Sequence, residues 1–197
     1  PAGWRKTTLE ERHKIMYEAA NRLGEMRGDL IGCMCAITGK TVVEGDVEVS
    51  EGIDYARFYT TSMKLFADLP DVDITPEGTV LVISPWNFPC AIPIGGIVAA
   101  LAGGNTVILK PATVAAPVAW LFAQAFWDAG VPKEALQVII TDRDALKVLT
   151  SAPAIKHIIL TGGRDTAQNI ARSKSFYSVV CRDRGQERYN SDSFRRS

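Results

Sequence analysis

Asn87 is the first side chain to invite a chemical reading. It lies in Ser84-Pro85-Trp86-Asn87-Phe88-Pro89, a stretch made stiff by two prolines and two aromatics. Neither proline has a ladder donor, so the strand before them must stop there. Spacing alone leaves a functional loop and a structural corner both open. Thr161-Gly162-Gly163 is a second candidate. It closes one apolar run and precedes a helical pattern. Amides at a helix start point outward and favour a phosphate, and glycines let an anion approach the backbone. Lys110 is a third, at the end of Thr106 to Lys110 and just before Pro111. On the residues alone a lysine there reads as a snorkelling strand end.

These residues need elements to hold them. Val80 to Ile83 is an unbroken β-branched and apolar run, which suits a strand covered on both faces. From Thr79 on, expected strands at 79–84, 106–110, 136–141 and 157–161 alternate with expected helices at 92–102, 114–129, 143–151 and 165–173. Short strands separated by helices imply parallel pairing with right-handed crossovers. The expected class is α/β, a partial Rossmann-like parallel sheet of about four strands. Gly103, Gly104 and Gly130 follow helix ends, where a left-handed residue is wanted. Before Thr79 the pattern is helical. Thr7 and Thr8 followed by Glu10 and Glu11 make a capping-box start, with Arg12, His13 and Lys14 expected on the wet side. Further helices are expected at 30–37 and 47–68. The second of these places Ile53, Ala56, Tyr59, Met63 and Phe66 on one face, and the stripe Tyr55, Phe58, Tyr59 reads as core. The resulting division is a helical segment at 1–77, a sheet domain at 78–175 and an Arg-rich tail at 176–197.

The 197 residues carry 22 Lys and Arg against 22 Asp and Glu, so nothing points to nucleic acid or an anionic membrane surface. No apolar run approaches the roughly 20 residues of a membrane span, and no secretory leader is visible. Cys33, Cys35, Cys90 and Cys181 have neither disulfide-framework nor zinc-site spacing. They read as reduced, cytoplasmic thiols.

Two motifs together carry a resemblance. Ser84 to Pro89, followed a helix later by Ala102-Gly103-Gly104-Asn105-Thr106-Val107-Ile108-Leu109-Lys110-Pro111-Ala112, resembles the NAD(P)-dependent aldehyde dehydrogenase superfamily, nearest its glutamate γ-semialdehyde branch of proline catabolism. The similarity runs from about Trp4 to about Ser173. It implies an aldehyde substrate oxidised to a carboxylate and an NAD or NADP cofactor. By the same resemblance Asn87 donates to the oxyanion of a thiohemiacetal, and Lys110 meets the adenosine ribose. Ile83, Ser84, Pro85, Trp86, Pro111, Thr113, Gly162 and Gly163 line the cofactor. Three positions depart from the family pattern. Gly163 stands where a Ser is usual, Ala167 where a Gly is usual, and Thr113 where many members place a ribose-binding Glu, which leaves NAD against NADP open. The ordinary dinucleotide fingerprint G-x-G-x-x-G is absent, as this family expects.

The family also needs a nucleophilic Cys and a Glu that activates the deacylating water. Their motifs, Gly-Gln-x-Cys and Glu-Thr-Gly-Gly-Lys-Asn, do not occur in this chain. Cys90, beside the loop, is the one substitute nucleophile, but apolar neighbours raise a thiol pKa, so a buried structural Cys is the expectation. Little or no dehydrogenase activity is expected. The rival readings are an esterase-like hydrolase using Cys90 and a non-catalytic self-assembling protein.

The tail from Cys181 to Ser197 holds five Arg, three acids and no helix or strand period, which reads as disordered or borrowed structure. Back-translated with permitted wobble bases and read one base later, it becomes Ala-Glu-Thr-Gly-Gly-Lys-Asn-Ala-Thr-Ile-Val-Thr-Ala-Phe-Ala-Asp-Arg. That is the family's general-base segment in its family place. The sequence-based expectation is therefore a frameshifted, prematurely ended aldehyde dehydrogenase, with the shift between Ala171 and Cys181. A sheet ending after four strands leaves an apolar edge, from which a homo-oligomer is expected.

Overall fold

Thr8 caps the first long helix. A computed structural model describes residues 2–173, 179–183 and 186–189. In it the Thr8 hydroxyl accepts from the Glu11 amide (3.1 Å), and the Glu11 carboxylate accepts from the Thr8 amide (2.7 Å), which satisfies two donors that a helix start leaves orphaned. These bonds hold the Glu11 carboxyl below its ordinary value of 4.5, the Thr8 backbone amide contributing most. A short helix α1 (Ala2–Arg5) precedes α2 (Leu9–Glu25), α3 (Arg27–Thr38) and α4 (Val42–Ala67). Thr41 and Glu44 form a second capping box of the same kind, so α4 begins at Val42 rather than Val47.

The sheet half continues as β1 (Thr79–Ile83), α5 (Ala91–Ala102), β2 (Thr106–Lys110), a 3-10 turn at Thr113–Ala115, α6 (Ala116–Asp128), β3 (Leu136–Val138), α7 (Arg143–Ser151), β4 (Ile155–Thr161) and α8 (Arg164–Ser173). Strand order is β3-β2-β1-β4, with parallel pairing throughout these four strands. The α/β class and the parallel, Rossmann-like sheet are as expected. β3 is shorter than expected and β4 starts at Ile155.

The tail departs from expectation. β5 (Val179–Asp183) pairs parallel with β4, and β6 (Gln186–Tyr189) returns antiparallel on β5, giving six strands in place of about four. A parallel strand beside a buried strand satisfies backbone groups whatever its side chains are. The bare edge expected beside the fourth strand is therefore covered, because β5 runs along Ile158 to Thr161.

Each face of the sheet has its own core. Val80, Val82, Val107 and Leu109 pack into one buried cluster with Trp4, Met16 and Leu23 of the helical segment and with Ile97, Phe122 and Phe126. Leu81, Ile83, Ile158 and Leu160 face the other way, onto Ala167 and Ile170 of α8. This alternation is what a strand buried on both faces produces. The larger cluster runs without interruption from the helical segment into the sheet.

α4 and α5 approach closely because glycine leaves room for side chains. A Cβ at Gly95 would lie 3.1 Å from the Tyr55 ring. Gly104 (φ 79°) and Gly130 (φ 111°) are left-handed as expected, whereas Gly103 is right-handed with φ −72°. Three side chains fall on the opposite side from their expected one. Arg12 is buried, while Phe58 and Phe66 are exposed. α4 has more apolar positions than its one buried stripe can cover.

Candidate functional site

The candidate residues converge on one end of the sheet. β1 lies between β2 and β4, with Ile83 opposite Lys110 on one side and Leu160 on the other. The Asn87 loop, Lys110 and the Thr161-Gly162-Gly163 turn therefore leave the carboxyl ends of three adjacent strands. Strand order reverses at β1, and ligands of open α/β sheets bind outside the strand ends at such a switch point.

The loop is fixed at its start. The Ser84 amide donates to the Lys110 carbonyl (3.2 Å), and the Ala112 amide donates to the Ser84 carbonyl (3.1 Å). These bonds tie the exits of β1 and β2 together and bring Pro111 and Ala112 against the loop. Trp86 and Phe88 are exposed while Pro89 is buried. Asn87 is half-buried, and among the described residues its side-chain amide makes no hydrogen bond. It is a free donor on a constrained backbone.

Lys110 is half-buried, and loss of water holds its ammonium below the ordinary lysine range. Among the described residues it makes no ion pair. The Ser84 hydroxyl is buried and has no hydrogen-bond partner among the described residues. Gly163 supplies the carbonyl that opens α8, accepting from Thr166 (3.1 Å) and Ala167 (3.3 Å). A Cβ there would meet nothing within 4 Å, so the space over this helix start is open. An unpaired cation, an unpaired buried hydroxyl and a helix start in open space fit a phosphate-bearing nucleotide. Ile83 packs in the buried cluster beneath α8, Pro85 is half-buried and Pro111 is buried, and Thr113 begins the turn that follows. A thermal-shift response to nucleotide that disappears in Lys110→Ala is expected from this arrangement.

Cys90 does not face the open side of the loop. It is fully buried at the start of α5. Burial pushes its thiol pKa far up, and the neighbouring Glu48 carboxylate and Cys33 thiol push in the same direction. A thiol so placed supplies almost no thiolate at neutral pH. Cys33, Cys35 and Cys90 are free thiols, and among the described residues no His, Cys, Asp and Glu cluster could hold a metal. No helix among them is long and apolar enough to cross a membrane.

Sequence reasoning missed two side chains at this end of the fold. Glu48 is buried (1% exposed) and its Oε1 accepts from the amides of Cys90 (2.7 Å) and Ala91 (3.2 Å). Lys40 Nζ lies 3.1 Å from the other Glu48 oxygen and 4.4 Å from the centre of the Phe88 ring. A buried carboxylate in a helix gives no periodic signal that separates it from a solvated one.

The aldehyde dehydrogenase family model matches residues 1–181. The chain belongs to the aldehyde dehydrogenase family. A 1-pyrroline-5-carboxylate dehydrogenase of Geobacillus sp. (strain WCH70) is 34% identical over 178 residues, which cover 85% of this chain and 35% of that relative. The bifunctional protein PutA of Salmonella typhimurium is 32% identical over 171 residues, 86% of this chain and 13% of its own. Among solved structures, proline utilization A of Corynebacterium freiburgense superposes with a TM-score of 0.88 at 37% identity, covering 94% of this chain and 20% of that one. This aldehyde dehydrogenase chain thus spans about a third of the 1-pyrroline-5-carboxylate dehydrogenases it matches. The family match passes residue 176, the expected start of the tail, and stops at Cys181.

Proposed function

We propose that this chain is the NAD(P)-binding part of an aldehyde dehydrogenase that oxidises an aldehyde of the glutamate γ-semialdehyde type to its carboxylate. The observation that carries the proposal is the convergence of Asn87, Lys110 and Gly162-Gly163 on three adjacent strand ends. The names of the relatives support the substrate class. Bound NAD(P) would supply the hydride acceptor. Lys110 holds the nucleotide by its ammonium, Ser84 offers a hydroxyl, and the amides opening α8 face the phosphates. Asn87 donates from its side-chain amide to an oxygen gaining negative charge, where a preorganised donor is worth several kcal/mol, roughly 3–4. The nucleophile and the general base are not among this chain's motifs, so binding without turnover is the expected behaviour.

Thermal melting with NAD and with NADP, for the wild type and Lys110→Ala, tests this. At about 100 times Kd a ligand stabilises by about 2.7 kcal/mol, a shift of several degrees that Lys110→Ala should remove. No NADH or NADPH should form from any aldehyde. Absence of a shift with either nucleotide would refute the cofactor assignment, and steady turnover would refute the loss of activity. The hydrolase alternative lacks support because Cys90 is buried and protonated. Self-association belongs to the same proposal, carried by the outer edges of β3 and β6, and light scattering that finds only monomer removes it.

The proposal extends to the tail. The family match ends at Cys181, the residue at which the shifted reading begins to yield the general-base segment. That agreement supports an out-of-frame origin for residues 182–197. The gene sequence decides it, because a coding strand unable to encode Glu-Thr-Gly-Gly-Lys-Asn one base later excludes a frameshift.

A further inference from the structure

We infer that Glu48 and Lys40 are positioning residues for the Asn87 loop, acting through the start of α5. α5 has the sequence AIPIGGIVAALA, with no acidic residue in its first turn, no basic residue in its last and no side-chain cap at Cys90. A buried helix with such ends leaves backbone donors and acceptors unsatisfied. Both ends are served from the helical segment instead. Glu48 of α4 accepts from Cys90 and Ala91 at the N-terminus. Arg12 of α2 donates from Nε to the Ala102 carbonyl (2.9 Å) at the C-terminus. Each charge has the sign that the helix dipole favours at its end.

The consequence for Asn87 is geometric. Its side-chain amide makes no hydrogen bond among the described residues, so the backbone carrying it decides where it points. That backbone is tied at Ser84 by β2 and at Cys90 by Glu48, leaving residues 85–89 between two anchors. Lys40 adds a third restraint, its ammonium lying over the Phe88 ring beside Asn87. The ammonium also neutralises Glu48, which would otherwise be a buried lone charge. This deepens the proposed function, since it matters for chemistry only if Asn87 is the oxyanion donor.

Amide hydrogen exchange and the side-chain NH2 resonances of Asn87, measured on the full 197-residue chain without ligand, test the inference. Glu48→Ala should speed exchange at Cys90 and Ala91 by about tenfold or more, and should shift or broaden the Asn87 NH2 pair. Glu48→Gln keeps a neutral acceptor in place and should restore most of the protection. Lys40→Met, which keeps the Glu48 acceptor but leaves its charge unpaired, should speed exchange at both amides less than Glu48→Ala does while moving the Asn87 signal. Thr8→Ala, which removes a remote cap, controls for general loosening and should do neither. Equal acceleration at Cys90 in Glu48→Ala and Thr8→Ala overturns the inference, as does an Asn87 signal unchanged in both Glu48→Ala and Lys40→Met. If Glu48→Ala does not fold, Lys40→Met and Glu48→Gln decide the outcome on the same readouts. A missing nucleotide response would refute the cofactor assignment without touching these measurements.

Discussion

Phe122→Ala should destabilise the chain by about 3–5 kcal/mol, seen as a fall of roughly 1–3 M in the urea midpoint. Phe122 lies on α6 with no exposed surface. It shares one buried cluster with Trp4, Met16 and Leu23 of the helical segment and with Ile97, Leu101 and Leu109 around the sheet. Truncating it removes a ring's worth of buried area and leaves a cavity that the flanking helices can only partly fill. Because the cluster spans both halves, the wild type should unfold in one transition that moves as a whole in the variant. Two transitions, only one of them shifted, would show that the helical segment and the sheet hold separate cores.

Arg12→Ala comes next, with an expected loss of about 2–4 kcal/mol. The Arg12 guanidinium is buried, and burial lowers its pKa. It donates to the Thr7 carbonyl (2.6 Å) and the Ala102 carbonyl (2.9 Å), joining the start of α2 to the end of α5. Its removal leaves buried carbonyls without a charged donor and opens space beside Gly104. Arg12→Lys should recover little, because one ammonium cannot reproduce a planar fork aimed at two acceptors. Thermal denaturation of the three proteins is the check, and an Arg12→Lys variant as stable as wild type would refute the need for the fork.

These two residues also show where sequence reading succeeds and where it stops. Phe122 stands in the apolar helix expected at 114–129, a pattern that foretells a buried helix but also contains the exposed Trp120. Arg12 stands between Glu11 and His13, in a run that looks solvated. What buries it is the end of α5, roughly 90 residues away in sequence, whose carbonyls need a donor. Glu48 is the same case at the other end of that helix. The Thr41–Glu44 box is a different miss, because the expected start at residue 47 overlooked a spacing that repeats Thr8–Glu11.

The sequence by itself determined whatever depends on neighbours within a few residues. It placed the exit of β1 before two prolines, the span of β2, the first capping box and the left-handed glycines at 104 and 130. Its two motifs also carried the family, since they name side chains that a shared backbone must present. The tertiary structure alone decided strand order, and with it the departure of the Asn87 loop, Lys110 and the Gly163 turn from three adjacent strand ends. It decided the pairing of β5 and β6, where backbone hydrogen bonding overrode an unpatterned tail. It decided the charges as well. Asp, Glu, Lys and Arg look alike in a sequence whether solvated or buried, and only the backbone groups brought against them show which ones hold the fold.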